Sequence, residues 1–189
     1  MSAYSQVIEE WRFCMNNKVL IAYFSHEGEA YAGGKIVTLE IGNTRVAAQM
    51  MEKMTGADVF RIETVKPYPY SHMETVAIAQ AEQKEDARPE LKGNDINVED
   101  YDTIILGFPN WWGTMPMAVF TFLESHDFSG KTIMPLCTHE GSGMGHSESD
   151  LKAVCPGTKI GRGLAITGSK VNKAEKTIEG WLSAAGLLK

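Results

Sequence analysis

Cysteine is scarce in this 189-residue chain: Cys14, Cys137 and Cys155 are the full complement, and they form no CxxC pair and no even set. A disulfide framework is excluded, and a reduced cytoplasmic setting is the natural expectation. Long apolar runs are lacking as well. The stretch Val19-Leu-Ile-Ala-Tyr-Phe24 is far below the roughly 18 to 20 residues that span a bilayer. The N-terminal SAYSQVIEEWRF is polar and broken by charge, unlike a signal peptide, so no membrane partner is expected. Positive charge is short too, since 18 Lys and Arg stand against 24 Asp and Glu, a net of −6. That is the wrong sign for a protein that binds nucleic acid by neutralising phosphates.

Several motifs are equally absent. No GxxxxGK[ST] is present and no GxGxxG opens a helix, so neither a Walker loop nor a dinucleotide fingerprint is available. Ser142 lacks the GxSxG surroundings of a hydrolase elbow. Cys137, His139, His146 and Cys155 follow no recognised metal-ligand spacing.

What is present is enough for one sizeable core, with 43% hydrophobic residues in a length suited to a single domain. Apolar runs rich in strand formers recur at 18–24, 58–63, 102–108, 131–138 and 163–167. Helical patterns lie between and after them at 44–55, 71–86, 115–125, 147–153 and 172–185. Strands alternating with helices give βαβ crossovers, hence a three-layer α/β domain with a doubly wound, five-stranded parallel sheet. The division expected is an N-terminal helical extension over 1–17, with a helix near 5–14, and one domain over 18–189. In such sheets ligands bind beyond the carboxyl ends of the strands. The loops after strands one, three and four therefore carry the functional reading.

After strand one, Ser25 ends the run and Gly42-Asn43-Thr44 opens a helix. This triplet reads either as a plain helix cap or as a phosphate site built on unpaired amides at the positive end of the helix dipole. The intervening 26–41 segment is longer than a βα loop needs. Its Tyr31-Ala-Gly-Gly-Lys35 stretch, followed by Ile36 to Ile41, reads as a small hairpin or flap over a ligand, or as a disordered insertion. After strand three comes Phe108-Pro109-Asn110-Trp111-Trp112-Gly113. Adjacent residues of a regular chain do not face the same core, so one indole should sit near the surface. It packs between strand and helix or stacks on a flat aromatic ligand. Asn110 and Thr114 can bond such a ligand's polar edge. After strand four, Thr138-His-Glu-Gly-Ser-Gly-Met-Gly145 is a glycine-rich loop suited to close backbone approach.

Taken in register, YFS at 23–25, GNT at 42–44, GFPNWWG at 107–113 and THEGSG at 138–143 resemble the flavodoxin family, in its variant with a long insertion before the GNT turn. The resemblance runs from Lys18 to the last helix. It implies a flavodoxin-like sheet of strand order 2-1-3-4-5 holding flavin mononucleotide (FMN) non-covalently. By that resemblance Ser25, Gly42, Asn43 and Thr44 hold the 5′-phosphate. Pro109, Asn110, Trp111, Trp112 and Gly113 border the isoalloxazine, and Thr138, His139, Glu140 and Gly143 frame its other edge. His139 stands where many flavodoxins carry a second aromatic stacker.

The family implies a low-potential one-electron carrier, because acidic surroundings and a stacked indole disfavour negative charge on the fully reduced ring. It also implies that a backbone carbonyl in 109–113 turns toward the flavin N5, with Gly113 supplying the freedom. The alternative is an NAD(P)H-dependent FMN oxidoreductase of quinones or other small acceptors, supported by the 26–41 flap and by His139 as a proton donor. A flavin-free module of the same fold leaves the tryptophans without a role. Residues 82–102 hold eight acidic side chains against Lys84, Arg88 and Lys92, either a solvated face or a docking surface for a redox partner protein. The chain is expected to be a monomer or weak homodimer.

Overall fold

The structure, a computed structural model, describes residues 17–93 and 95–189. The helix expected near 5–14 lies outside the described residues. The first apolar run forms β1 (Val19–Phe24), with Leu20 to Phe24 buried throughout. Then come β2 (Gly28–Ala32), β3 (Lys35–Leu39), α1 (Asn43–Thr55), β4 (Asp58–Ile62) and α2 (His72–Lys84). The chain continues through β5 (Thr103–Pro109), α3 (Met117–Glu124), β6 (Thr132–His139), α4 (Ser147–Val154), β7 (Lys159–Ile160), β8 (Leu164–Thr167) and α5 (Glu175–Ala184).

The main sheet runs β4-β1-β5-β6-β7, with β8 also paired to β6, and all these pairings are parallel. Counted by apolar runs, this is the order 2-1-3-4-5. The fifth run, expected over 163–167, forms β8, and a short strand not expected from the sequence precedes it at the same edge: β7 pairs with Thr132 and Ile133, β8 with Leu136 to His139. Gly161 and Gly163 sit between the two. A Cβ on Gly163 would stand 2.6 Å from Glu148 Oε1.

Because side chains alternate across a strand, β1 supplies both halves of the core. Leu20, Ala22 and Phe24 pack with Ile104, Leu106 and Phe108, and with the apolar faces of α3 and α4, on one side. Ile21 and Tyr23 pack with Ile105, α1 and α5 on the other. Burial on both faces explains why these strands read as continuous apolar runs.

The 26–41 segment forms an antiparallel hairpin, β2 with β3, its own two-stranded sheet. Gly33 and Gly34 at its tip have φ of 59° and 88°, the pair of positive values that a two-residue type I′ turn needs. The strands continue past the sheet into loops that converge at one end of the domain.

Leu106 is fully buried at the centre of β5. Leu106→Ala is expected to lower unfolding free energy by about 2 to 5 kcal/mol through lost burial and the cavity left behind. Urea denaturation should show a lower midpoint with an unchanged slope.

Candidate functional site

The site begins with a backbone contact that only glycine permits. A Cβ on Gly42 would lie 2.2 Å from Ser25 Oγ and 2.3 Å from the His26 carbonyl oxygen. The end of β1 and the start of α1 therefore touch directly. In this arrangement the Arg45 amide donates to Ser25 Oγ at 3.2 Å, so Ser25 caps α1 from a distance. The amides of Asn43 and Thr44 find no acceptor among the described residues. These are the orphan donors of a helix N-terminus, backed by its dipole. The Thr44 hydroxyl, buried, bonds Thr138 Oγ1 at 2.8 Å, fixing the floor between α1 and β6.

Behind Ser25 the charges are balanced within the protein. Arg61 Nη2 donates to Glu27 Oε2 at 2.5 Å, and Arg45 lies 3.4 Å from the same carboxylate. Glu27 thus turns away from the ligand side, whereas His26 faces it. The His26 Nε2–H donates to the Pro69 carbonyl at 2.8 Å, since a carbonyl only accepts.

The two tryptophans divide the work. Trp111 is half-buried and meets Phe24, Tyr68 and His26 edge to face, with centroids 5.3, 5.0 and 5.9 Å away. Tyr68 in turn donates to Glu82 Oε2 at 2.7 Å. Burial, and then the Glu82 carboxylate, raise its hydroxyl far above the usual tyrosine range. Trp112 has φ of 52°, rare for a bulky residue, and is 45% exposed. Its Nε1–H donates to the Val76 carbonyl at 3.1 Å, and its own carbonyl accepts from Gln83 Nε2 at 3.1 Å. The indole is held against α2.

Asn110 ties the loops together. Its amide bonds the Thr138 carbonyl at 2.8 Å, its Oδ1 accepts the Gly113 amide at 3.0 Å, and its Nδ2 donates to the Gly143 carbonyl at 3.0 Å. The Gly113 carbonyl accepts the His146 amide at 2.8 Å. A Cβ on Gly145 would meet that same oxygen at 1.9 Å. The Asp150 carboxylate takes both the Thr114 hydroxyl and His146 Nδ1. The freedom expected at Gly113 is therefore largely taken up. Turning the Trp112–Gly113 peptide breaks its bonds to Gln83 and Asn110, at about 1 kcal/mol each.

In the loop after β6, His139 Nδ1 accepts the Gly141 amide at 2.9 Å, which leaves the neutral ring's proton on Nε2. Glu140 spans the opening. Its carboxylate accepts the Gly33 amide of the hairpin tip at 3.1 Å, the Ser169 amide at 2.5 Å and the Ser169 hydroxyl at 3.0 Å.

These parts enclose one cleft of about 380 Å³. Of the residues expected from the sequence, Ser25, Asn43, Thr44, Pro109, Asn110 and Trp111 line it, as do Trp112, Thr138, His139 and Glu140. Gly42, Gly113 and Gly143 do not line it: Gly42 lets α1 approach the end of β1, and the Asn110 side chain bonds the Gly113 amide and the Gly143 carbonyl. The sequence reading did not single out a second wall, where Glu29, Ala30, Tyr31 and Leu39 face His72, Thr75, Val76 and Ala79. The α2 members fall at i, i+3, i+4 and i+7, one helical face. That spacing and the Gly-Gly turn are legible signals, but nothing in a single sequence brings the two together.

The chemistry fits FMN at both ends. Two free amides at a helix N-terminus, with no side chain at Gly42 to block them, suit a phosphate. Aromatic and small walls suit a flat ring. Among the described residues no group of His, Cys, Asp and Glu is placed to hold a metal ion, and no helix is long and apolar enough to cross a membrane.

Two substitutions separate support from contact. Gly42→Ala is expected to lower the melting temperature by several degrees, consistent with a loss of about 1 to 3 kcal/mol from steric conflict, read by calorimetry. Trp111→Ala is expected to cost about 3 to 5 kcal/mol as a core aromatic truncation, whereas Trp112→Ala should leave the denaturation midpoint close to the parent's.

The profile of the flavodoxin family matches residues 18–184. Among solved structures, a Bacteroides eggerthii protein described as a flavoprotein shares 28% identity at a TM-score of 0.67, covering 89% of this chain and 98% of its own. A Lactobacillus acidophilus flavoprotein solved in complex with FMN is 19% identical, TM-score 0.59, covering 83% and 97%. An NADH:FMN oxidoreductase in its apo form is 12% identical, TM-score 0.51, covering 89% and 86%. The last two likenesses are of fold. No curated protein matches the chain. A family match over nearly all the described residues, on a sheet of this order with its cleft at the strand ends, makes the chain a member of the flavodoxin family.

Proposed function

We propose that this protein binds FMN in the cleft and uses it as a redox oxidoreductase acting on small acceptors, with a reduced nicotinamide nucleotide as hydride donor. FMN supplies the chemistry by taking up two electrons and giving them out together or singly. The chain's own groups bind and orient it. Asn43 and Thr44 amides with Ser25 Oγ hold the phosphate, and Asn110, His139 and Glu140 border the ring. Trp112 offers an indole for stacking, while Trp111 secures the floor beneath.

The observation that carries this reading is the second wall. The hairpin is pinned to the body at separate points: Glu29 N–H to the Tyr70 carbonyl at 2.8 Å, Glu29 Oε2 to the His72 amide at 3.1 Å, and Gly33 to Glu140. A cleft walled in this way admits a small molecule more readily than it presents a cofactor edge to another protein. The bonds that hold the Trp112–Gly113 peptide support the same side.

The second reading, a low-potential one-electron carrier, rests on the acidic 82–102 segment. Part of that charge is engaged internally: Glu82 accepts Tyr68, Asp86 pairs with Arg88, and Asp102 Oδ2 accepts the Lys18 amide. The remaining carboxylates leave a face for a basic partner protein.

Anaerobic reductive titration of the FMN-loaded protein distinguishes the two. A single two-electron step, together with NADH or NADPH consumption that depends on an added quinone, is the expected result. Two resolved one-electron steps with no nicotinamide oxidation would establish the carrier instead. Trp112→Ala is expected to weaken FMN binding by about 1 to 3 kcal/mol, the range found for aromatic stacking on bases, measured by flavin fluorescence.

A further inference from the structure

We infer that the second wall is a subsite for an uncharged planar aromatic molecule, such as a quinone, set against the FMN face; this rests on the cofactor reading above. The lining sorts into two sets. One consists of the strand-end groups already matched to the cofactor. The other, from the hairpin and α2, contains none of the strand-end groups assigned to FMN: Ala30, Tyr31 and Leu39 on one side, His72, Val76 and Ala79 on the other. Tyr31 is 48% exposed and Trp112 45%, so two aromatic faces border the same opening. Exposed aromatics gathered at one cleft, rather than scattered singly, mark a binding surface.

The polar groups narrow the ligand class. No lysine or arginine lines the cleft. The carboxylates that do, Glu29 and Glu140, are held in place by backbone amides of α2, the hairpin tip and the segment after β8. An anionic group lying against this wall, away from the amides assigned to the FMN phosphate, would meet the Glu29 and Glu140 carboxylates with no lysine or arginine beside them, a repulsion that an uncharged ring avoids. The His72 imidazole, at the mouth, makes no hydrogen bond among the described residues, so its N–H is available to a carbonyl oxygen. Planar, apolar, uncharged and carbonyl-bearing is the description these walls give.

The test uses the FMN-loaded, oxidised protein, titrated with menadione and followed by tryptophan fluorescence without turnover. Menadione should bind saturably. Tyr31→Ala should weaken it roughly tenfold, in line with the loss of one stacking face. Ala30→Leu, which fills the slot without touching the strand-end groups, should weaken it to at least a similar degree. FMN affinity, read separately by flavin fluorescence, should stay within about twofold of the parent in both. A naphthoquinone sulfonate, the same ring with one negative charge, should bind at least about tenfold more weakly than menadione. Parent-like menadione binding by both variants, or no binding by the parent, overturns the subsite while the cofactor reading stands. Equal binding of the sulfonate overturns the requirement for an uncharged ligand. Failure of the parent to bind FMN appears in the first titration, before any quinone is added, and overturns both readings together.

Discussion

The approach of Gly42 to Ser25 and His26 is the constraint on which the site depends. It brings the two residues that follow the first strand against the start of α1, through the Ser25 hydroxyl and the His26 carbonyl. Ser25 can then cap the helix from across the loop and leave the next amides free. A side chain at 42 would push α1 back, and the donors would open onto solvent rather than onto the strand ends. Thr44 carries the same geometry inward, since its bond to Thr138 sets α1 against β6 and so fixes where the floor of the cleft lies.

Much of the fold was legible because each central strand is buried on both faces, and such strands read as unbroken apolar runs whatever their partners. The parallel order follows from alternation with helices. The short β7 ahead of the last strand was not legible. Two glycines in Gly161-Arg162-Gly163 signal a break only once the neighbouring Glu148 is seen to need the room. The hairpin over 26–41 was half legible: Gly33-Gly34 is a strong turn signal, but whether the arms pair or wander depends on Tyr70, Glu29 and Glu140, which lie far apart in the chain.

The site divided along similar lines. The strand-end groups were readable because their motifs are local and keep their order. The tryptophan pair posed a question that only packing answers: Trp111 belongs to the aromatic cluster with Phe24 and Tyr68, and Trp112 leaves it through a left-handed turn. The second wall was legible only in its parts: the hairpin was readable as a flap, but α2 has apolar residues such as Met73, Ala77 and Ile78 off its lining face as well, so its sequence does not say which side meets the hairpin. The freedom read at Gly113 meets bonds that the sequence does not show: Asn110 accepts its amide, the Trp112 carbonyl accepts from Gln83, and the Gly113 carbonyl accepts the His146 amide.

The broken edge formed by β7 and β8 bears on how copies of this protein meet one another. An open parallel sheet ends in exposed amides and carbonyls, which can recruit a foreign strand. Here that margin is only two residues of β7 and four of β8, interrupted where glycines turn the backbone. No stretch of it is long enough to template a neighbour. The interruption that looks like a flaw in the sheet leaves this edge with little to offer a foreign strand, whereas β4 at the opposite edge is a continuous five-residue strand.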